Sequence, residues 1–225
     1  VKPPAPRPGG AGQGRAGQAD TVVPRRLPQE VRIIAGQWRR SRLPVADAPG
    51  LRPTPDRVRQ TLFDWLGQDL TGWRCMDAFA GSGALGFEAA SRGAQQVLLV
   101  ESDRRLASAL QQVKARLRAD AVEVVCARAQ TVLHGLAPRS MDLVFLDPPY
   151  GQGLLVPALA AAARVVVPGG WAYIEDERAW SDLPAPWVLH RQGRAGRVHH
   201  HLLRRAADGA QAADEVGGAA APVAR

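Results

Sequence analysis

Hydrophobic residues follow two alternating rhythms along most of this chain. Short runs that are apolar throughout, such as 97–100 and 143–146, alternate with longer stretches whose apolar residues recur every three or four positions. Continuous runs fit strands covered on both faces, and the three-to-four spacing fits helices covered on one. The pattern predicts strands over 75–80, 96–101, 122–127, 141–147 and 171–175. Helices are predicted over 84–91, 104–118, 130–136 and 154–166. Segments 187–190 and 198–203, around Gly193 and Gly196, read as a closing antiparallel hairpin.

Ahead of this core, 31–35 and 43–46 flank Gly36-Gln37 and suggest a small hairpin with a long basic turn. Thr54-Pro55 reads as a helix start, with Thr54 as cap and Pro55 at the first helical position. Val58, Leu62, Trp65 and Leu66 follow at helical spacing, and Gly67 ends the run. Regular alternation of strand and helix implies an α/β fold. The expected architecture is a doubly wound, mostly parallel seven-stranded sheet, its last strand antiparallel, with a small N-terminal hairpin-helix extension.

The net charge of +8 is unevenly spread. Residues 1–28 and 29–60 each carry +4, the centre 61–188 carries −3, and 189–205 holds five arginines and no acid. Positive segments flanking a mildly acidic core are the footprint expected of a polyanion binder. Residues 1–28, rich in Pro, Gly, Ala and Arg, cannot bury enough surface to order themselves. Four segments follow: a disordered basic 1–28, a hairpin-helix extension 29–70, an α/β domain 71–205 and a disordered tail 206–225. Cys75 and Cys126 both lie in apolar runs and read as buried, reduced thiols of a cytoplasmic protein. No run is long enough to span a bilayer.

The segment Asp77 to Gly86 joins the first core strand to a helix through Gly81, Ser82 and Gly83. Such a turn lets a ligand approach the backbone and the open N–H groups of a helix start. Nicotinamide and flavin enzymes use the same device. Two acids favour S-adenosylmethionine instead. Asp77 precedes the glycines, where a carboxylate repels a pyrophosphate but suits an ammonium group. Glu101 ends the next strand, where it can accept both ribose hydroxyls. The candidate cofactor set is Asp77, Phe79, Ala80, Gly81, Ser82, Gly83, Glu101 and Ser102, with the backbone of Arg128 or Ala129 for the adenine.

Asp147-Pro148-Pro149-Tyr150 follows a fully apolar strand. That puts an acid at a strand's carboxyl end, where open α/β sheets bind ligands. Two prolines remove two N–H donors, so the turn offers acceptors: the Asp147 carboxylate and the Pro148 carbonyl. Two acceptors can hold both protons of an exocyclic amine and free its lone pair. Tyr150 can stack on the base. The candidate catalytic residues are Asp147, Pro148, Pro149 and Tyr150.

Four motifs in order carry a family resemblance: Arg32 through Arg39, Leu51 through Arg59, Asp77 through Gly86, and Asp147 through Tyr150. Together they resemble the RsmD family, bacterial methyltransferases that form N2-methylguanine in small-subunit ribosomal RNA. The resemblance runs from about Val31 to Arg205. It implies a class I S-adenosylmethionine-dependent methyltransferase fold, that cofactor, and a guanine of 16S rRNA in the 30S subunit or an assembly intermediate. Arg128 departs from the pattern, as does the triplet His199-His200-His201.

A base inside structured RNA must be turned out of its stack. Trp38, Arg39, Arg40, Arg42, Arg52, Thr54 and Arg57 are the expected RNA contacts, with Arg59 on the same helix. The three histidines alternate faces in a strand and cannot converge on a metal; they are expected at the surface or toward RNA, with no metal. A monomer without membrane contact is expected. Two other readings stay open: an adenine-N6 or other exocyclic-amine methyltransferase, and a non-catalytic RNA-binding assembly factor. A nicotinamide-dependent oxidoreductase fits less well, for want of a hydride-transfer acid/base pair.

Overall fold

The computed structural model describes residues 30–45 and 54–208. The expected disordered segment 1–28, residue 52, and all but the first three residues of the expected tail lie outside them. Strands β1 (Glu30–Arg32) and β2 (Arg42–Pro44) form an antiparallel pair. Helix α1 (Asp56–Leu66) follows and ends on Gly67, which is left-handed at φ 98°. The core then alternates: β3 (Arg74–Asp77), α2 (Ala84–Ser91), β4 (Gln96–Glu101), α3 (Arg104–Leu117), β5 (Val122–Cys126), α4 (Ala129–Gly135), β6 (Met141–Leu146), α5 (Leu155–Val165) and β7 (Val166–Asp176). Strands β8 (Trp187–Ala195) and β9 (Val198–Arg205) close the chain as a hairpin.

The seven-stranded sheet has the order β5-β4-β3-β6-β7-β9-β8. Strands β3 to β7 pair in parallel, and β9 runs antiparallel between β7 and β8. The chain winds outward from β3 to β5, then returns to β6 on the other side of β3. Sheets of this kind open a crevice at that reversal, above the carboxyl ends of the two central strands.

Side chains alternate across the sheet with a period of two. Cys75, Leu99, Leu143, Phe145 and Tyr173 pack on α1, α2 and α3 through Phe63, Phe87 and Leu110. Met76, Val100, Val144 and Ile174 pack on α4 and α5 through Leu133, Ala158 and Leu159. Each Val, Leu, Ile, Phe or Met among them, when fully buried, stabilises the fold by about 1.5–3 kcal/mol. Phe145 sits between Phe63 and Tyr173, with ring centroids 6.3 Å from each.

A buried acid docks the extension. Glu88, on α2, is fully buried. Its carboxylate accepts Ile34 N at 2.8 Å and Ala35 N at 3.0 Å, and pairs with Arg59 at 3.3 Å and Arg92 at 2.8 Å. Ser91 adds to the seam: its Oγ accepts Trp38 N at 2.9 Å and donates to Ala35 O at 2.6 Å. Gly36 crosses it so closely that a Cβ there would lie 1.8 Å from Ser91 O.

Several expectations need correction. Thr54 does not cap α1; Pro55 occupies the N-cap without a side-chain bond, and the helix begins at Asp56. Strand β3 stops at Asp77 because the ligand-type turn starts at once. Strand β7 begins at Val166, which already pairs with Met141; the Pro-Gly-Gly segment then bulges out of β7 before Trp171 pairs with Leu143. Cys126 is exposed, because β5 is an edge strand, whereas Cys75 is buried. His200 and His201 are buried, not superficial, because β9 lies inside the sheet. His200 stacks on Trp65, and His201 Nε2 accepts Trp180 N at 3.2 Å. Arg59 is fully buried in its ion pairs rather than turned toward solvent or RNA.

Candidate active site

Strand β3 ends on Asp77, which is buried at the crevice. Its Oδ2 accepts Gly86 N, in the first turn of α2, at 3.0 Å. Burial pushes its pKa up to about 7, aided by the Glu101 charge and opposed by the Gly86 bond. Gly83 caps α2 in a left-handed conformation at φ 75°, and a Cβ there would meet Phe87 at 2.6 Å. Within the turn Phe79 packs on the α4–α5 core, Ala80 N donates to Val100 O at 2.9 Å, and Ser82 is buried.

Glu101 ends β4 beside this turn. Its Oε2 accepts Gly81 N at 2.9 Å and its Oε1 accepts Asp103 N at 2.8 Å, with Ser102 Oγ at 3.4 Å. A carboxylate has about four acceptor positions, so these three bonds orient Glu101 and leave about one open, with the long Ser102 contact the easiest to displace. Arg128 caps α4, and Ala127 N donates to Glu101 O at 3.0 Å. Asp77, the 79–83 turn, Glu101, Ser102, Arg128 and Ala129 thus span three adjacent strand ends, β3, β4 and β5. Arg128 is exposed and Ala129 buried. Asp77, a buried carboxylate that makes no ion pair among the described residues, beside Glu101 with an open acceptor position, fits an ammonium-bearing nucleoside.

Asp147 follows β6 directly. Asp77 pairs with Phe145, and Ala78 N donates to Phe145 O at 3.1 Å, so the two turns open into one crevice. Burial raises the Asp147 pKa well above the carboxylate range; the Glu175 charge and then the Asp77 charge add to it. Pro148 is buried, while Pro149 and Tyr150 are exposed at the rim. Partial burial and the surrounding acids, Asp147 first, push the Tyr150 phenol pKa up.

Glu175 and Tyr173 are functional candidates that sequence reasoning passed over. Leu146 pairs with Ile174, so Asp147 and Glu175 stand side by side. Glu175 is buried, its Oε1 accepts Tyr173 Oη at 2.7 Å, and its pKa is raised by burial. A signal was present: Glu175 ends an apolar run just as Glu101 and Asp147 do. The two-residue period puts Glu101, Asp77, Asp147 and Glu175 on the face that also carries α1. Thr54 arrives from that side, its Oγ1 3.5 Å from Asp147 Oδ2 and also facing Glu175.

The remaining expected RNA contacts separate. Arg39, Arg40 and Arg57, with Arg32, line a cleft of about 490 Å³ that also touches Asp56 and Gln60. Trp38 is half-buried against the core, and Arg42 lies outside the cleft, paired with Glu30 at 3.1 Å. Thr54 is buried in the crevice, and Arg52 is outside the described residues. Arg59 links cleft to crevice: it pairs with Asp56 at 2.6 Å and donates to Thr54 O at 3.3 Å. Among the described residues no group of three His, Cys, Asp or Glu side chains is arranged for a metal, and no helix is long and apolar enough to cross a membrane.

The family model described as conserved hypothetical protein 95 matches residues 31–204. The chain is 42% identical over 193 residues to ribosomal RNA small subunit methyltransferase D of Escherichia coli K12, covering 82% of this chain and 95% of that protein. It is 37% identical to the protein of the same name from Haemophilus influenzae, covering 78% and 94%. A solved Escherichia coli structure, described as a methyltransferase, yhhF, superposes with a TM-score of 0.71 at 39% identity, covering 80% of this chain and 99% of that one. The chain belongs to the RsmD family.

Proposed function

We propose that the chain methylates the exocyclic N2 amine of a guanine in 16S rRNA, using S-adenosylmethionine. The observation that carries the reading is the shared crevice: Asp77 and Asp147 end neighbouring strands at the sheet's reversal point. The names of the relatives support methylation of small-subunit ribosomal RNA. The substrate is the 30S subunit or an assembly intermediate, in the cytoplasm. A single copy of the chain supplies every group invoked here.

When bound, S-adenosylmethionine supplies an electrophilic methyl group on a sulfonium, which leaves as a neutral thioether. Asp77 and the 79–83 turn hold its amino-acid end, Glu101 its ribose, and the Ser102 and Arg128–Ala129 backbone its adenine. Asp147 and the Pro148 carbonyl each accept one N–H of the target amine. That draws the nitrogen toward tetrahedral geometry and releases its lone pair from ring conjugation. Positioning of this kind provides much of the rate. Asp147 then takes the proton that the methylated nitrogen sheds, for which its raised proton affinity suits it. Tyr150 stacks on the extruded base, a contact of about 1–3 kcal/mol. The cleft of Arg32, Arg39, Arg40 and Arg57 holds the flanking backbone.

Mass spectrometry of 16S rRNA from cells with and without the gene tests this. One N2-methylguanine should vanish in the deletion and return when purified protein acts on deletion 30S subunits. Loss of a methyladenine, or an unchanged RNA, would overturn it.

A further inference from the structure

Four carboxylates stand in line at the sheet's upper edge: Glu101 on β4, Asp77 on β3, Asp147 after β6 and Glu175 on β7. The proposed donor occupies the first two. An acceptor whose amine rests on Asp147 must therefore extend the other way, over β7. There it meets Glu175. Tyr173 Oη donates to Glu175 Oε1 at 2.7 Å and so does not occupy Oε2; the Thr54 hydroxyl also faces this carboxylate. Thr54 Oγ1, between the two acids, is 3.5 Å from Asp147, longer than an ordinary O–H···O bond of about 2.5–3.0 Å.

The chemistry of the bases decides what such an acceptor reads. In guanine the amine is flanked by N1–H, a donor. In adenine and cytosine it is flanked by a ring nitrogen lone pair, an acceptor. A second carboxylate beside the amine-binding one accepts from the first arrangement and repels the second. We infer that Glu175 is the specificity-determining residue of the site, accepting the N1–H of the target guanine while Asp147 accepts from its amine. This rests on the guanine-N2 reading above. Substrate selection then lies in the pairing of β6 with β7, not in the Asp147–Tyr150 turn alone. Sites that hydrogen-bond a substrate N–H discriminate strongly, because the analogue leaves a buried polar group unpaired.

The test compares guanine with 2-aminopurine, which keeps the N2 amine but replaces N1–H by a lone pair. Synthetic RNA carrying either base at the mapped acceptor position is ligated into 16S rRNA and reconstituted into 30S subunits. Wild-type protein should methylate the guanine substrate and discriminate against 2-aminopurine. In Glu175→Gln, Oε1 still accepts Tyr173 Oη, so an amide N–H takes the place of Oε2. Its kcat/KM on guanine should fall about 10- to 100-fold, the range of a lost charge-assisted bond, while activity on 2-aminopurine holds or rises. Equal loss on both substrates, or an unchanged ratio, would overturn the inference and leave Glu175 a structural residue. Should Glu175→Gln fold poorly, Tyr173→Phe carries the test: it frees Glu175 to turn and should compress the guanine preference several-fold. No compression would count against the inference equally. The wild-type arm separates the two readings: if guanine N2 is not its product, the parent reading fails and this one with it.

Discussion

Thr54 Oγ1 meets Asp147 Oδ2 at 3.5 Å across 93 residues of chain. It is the point where the extension touches the candidate catalytic acid. Arg59, locked by Glu88 and Asp56, grips the Thr54 carbonyl and so sets where its hydroxyl sits. Thr54→Val keeps the shape and removes the donor. We expect kcat to fall a few-fold, less than the roughly tenfold or more of a hydrogen bond to a charged group at ordinary length, with cofactor affinity unchanged and activity restored by Thr54→Ser. An equal loss in Thr54→Ser would assign the residue to packing alone.

The Glu88 hub predicts a stability effect. Removing one partner from a buried ion pair strands the others, at a cost of about 3–5 kcal/mol. Glu88→Ala leaves Arg92 without its counter-charge, Arg59 with only the exposed Asp56, and two backbone N–H groups of the hairpin without an acceptor. Thermal unfolding should show Tm lowered by roughly 10 °C. A change of a degree or two would mean that the extension docks by other means.

Much of this site was legible because an acid after an apolar run marks a strand's carboxyl end. Asp77, Glu101 and Asp147 obey that rule, and the sheet brings them together. Glu175 obeys it too, but its importance depends on β7 lying beside β6, which no local pattern reports. Arg59 reads as a solvated helix residue because its partner, Glu88, reads the same way; two apparently exposed charges bury each other. His200 and His201 look polar and superficial, yet β9 is inserted between β7 and β8. Cys126 shows the converse: an apolar run, but on an edge strand.

Asp77 makes cofactor binding depend on pH. Its pKa rises from 3.8 to about 7 on folding, chiefly through burial. The folded chain therefore holds a proton that the unfolded chain has lost, and this group's contribution to stability falls as pH rises from about 4 to 7. The cofactor's ammonium favours the ionised form, so binding should expel that proton. Affinity should rise several-fold between pH 6 and 7.5, as the competent fraction grows. Calorimetry in two buffers of different ionisation enthalpy reads the released proton directly. Asp77→Asn should abolish the release; a release that persists would assign it to another group.

Asp147 is raised by burial and by its neighbours Glu175 and Asp77. Its ionised form thus costs folding energy above the usual carboxylate pKa, and that cost is absent at low pH, where it is protonated in both states. Asp147→Asn should abolish methyl transfer, leave cofactor binding intact, and raise Tm at pH 8. The gain should shrink at pH 5. A folded variant that loses cofactor binding would show that Asp147 serves the donor rather than the base.

The arginine cleft predicts a salt dependence. Each phosphate contact that a protein makes adds about 0.7–0.9 to the slope of log affinity against log salt. Arg39, Arg40 and Arg57 line one cleft and make no ion pair among the described residues; its one lining carboxylate, Asp56, is engaged by Arg59. Replacing the three by Ala should lower the slope by about 2 and weaken binding uniformly across RNA sequences. Arg42 provides the internal comparison, since it is paired with Glu30 outside the cleft. Arg42→Ala should leave the slope nearly unchanged. If Arg42→Ala flattens it as much as the cleft substitutions do, the backbone runs over the hairpin's other side, and the route from cleft to crevice through Arg59 and Thr54 is not the one the RNA follows.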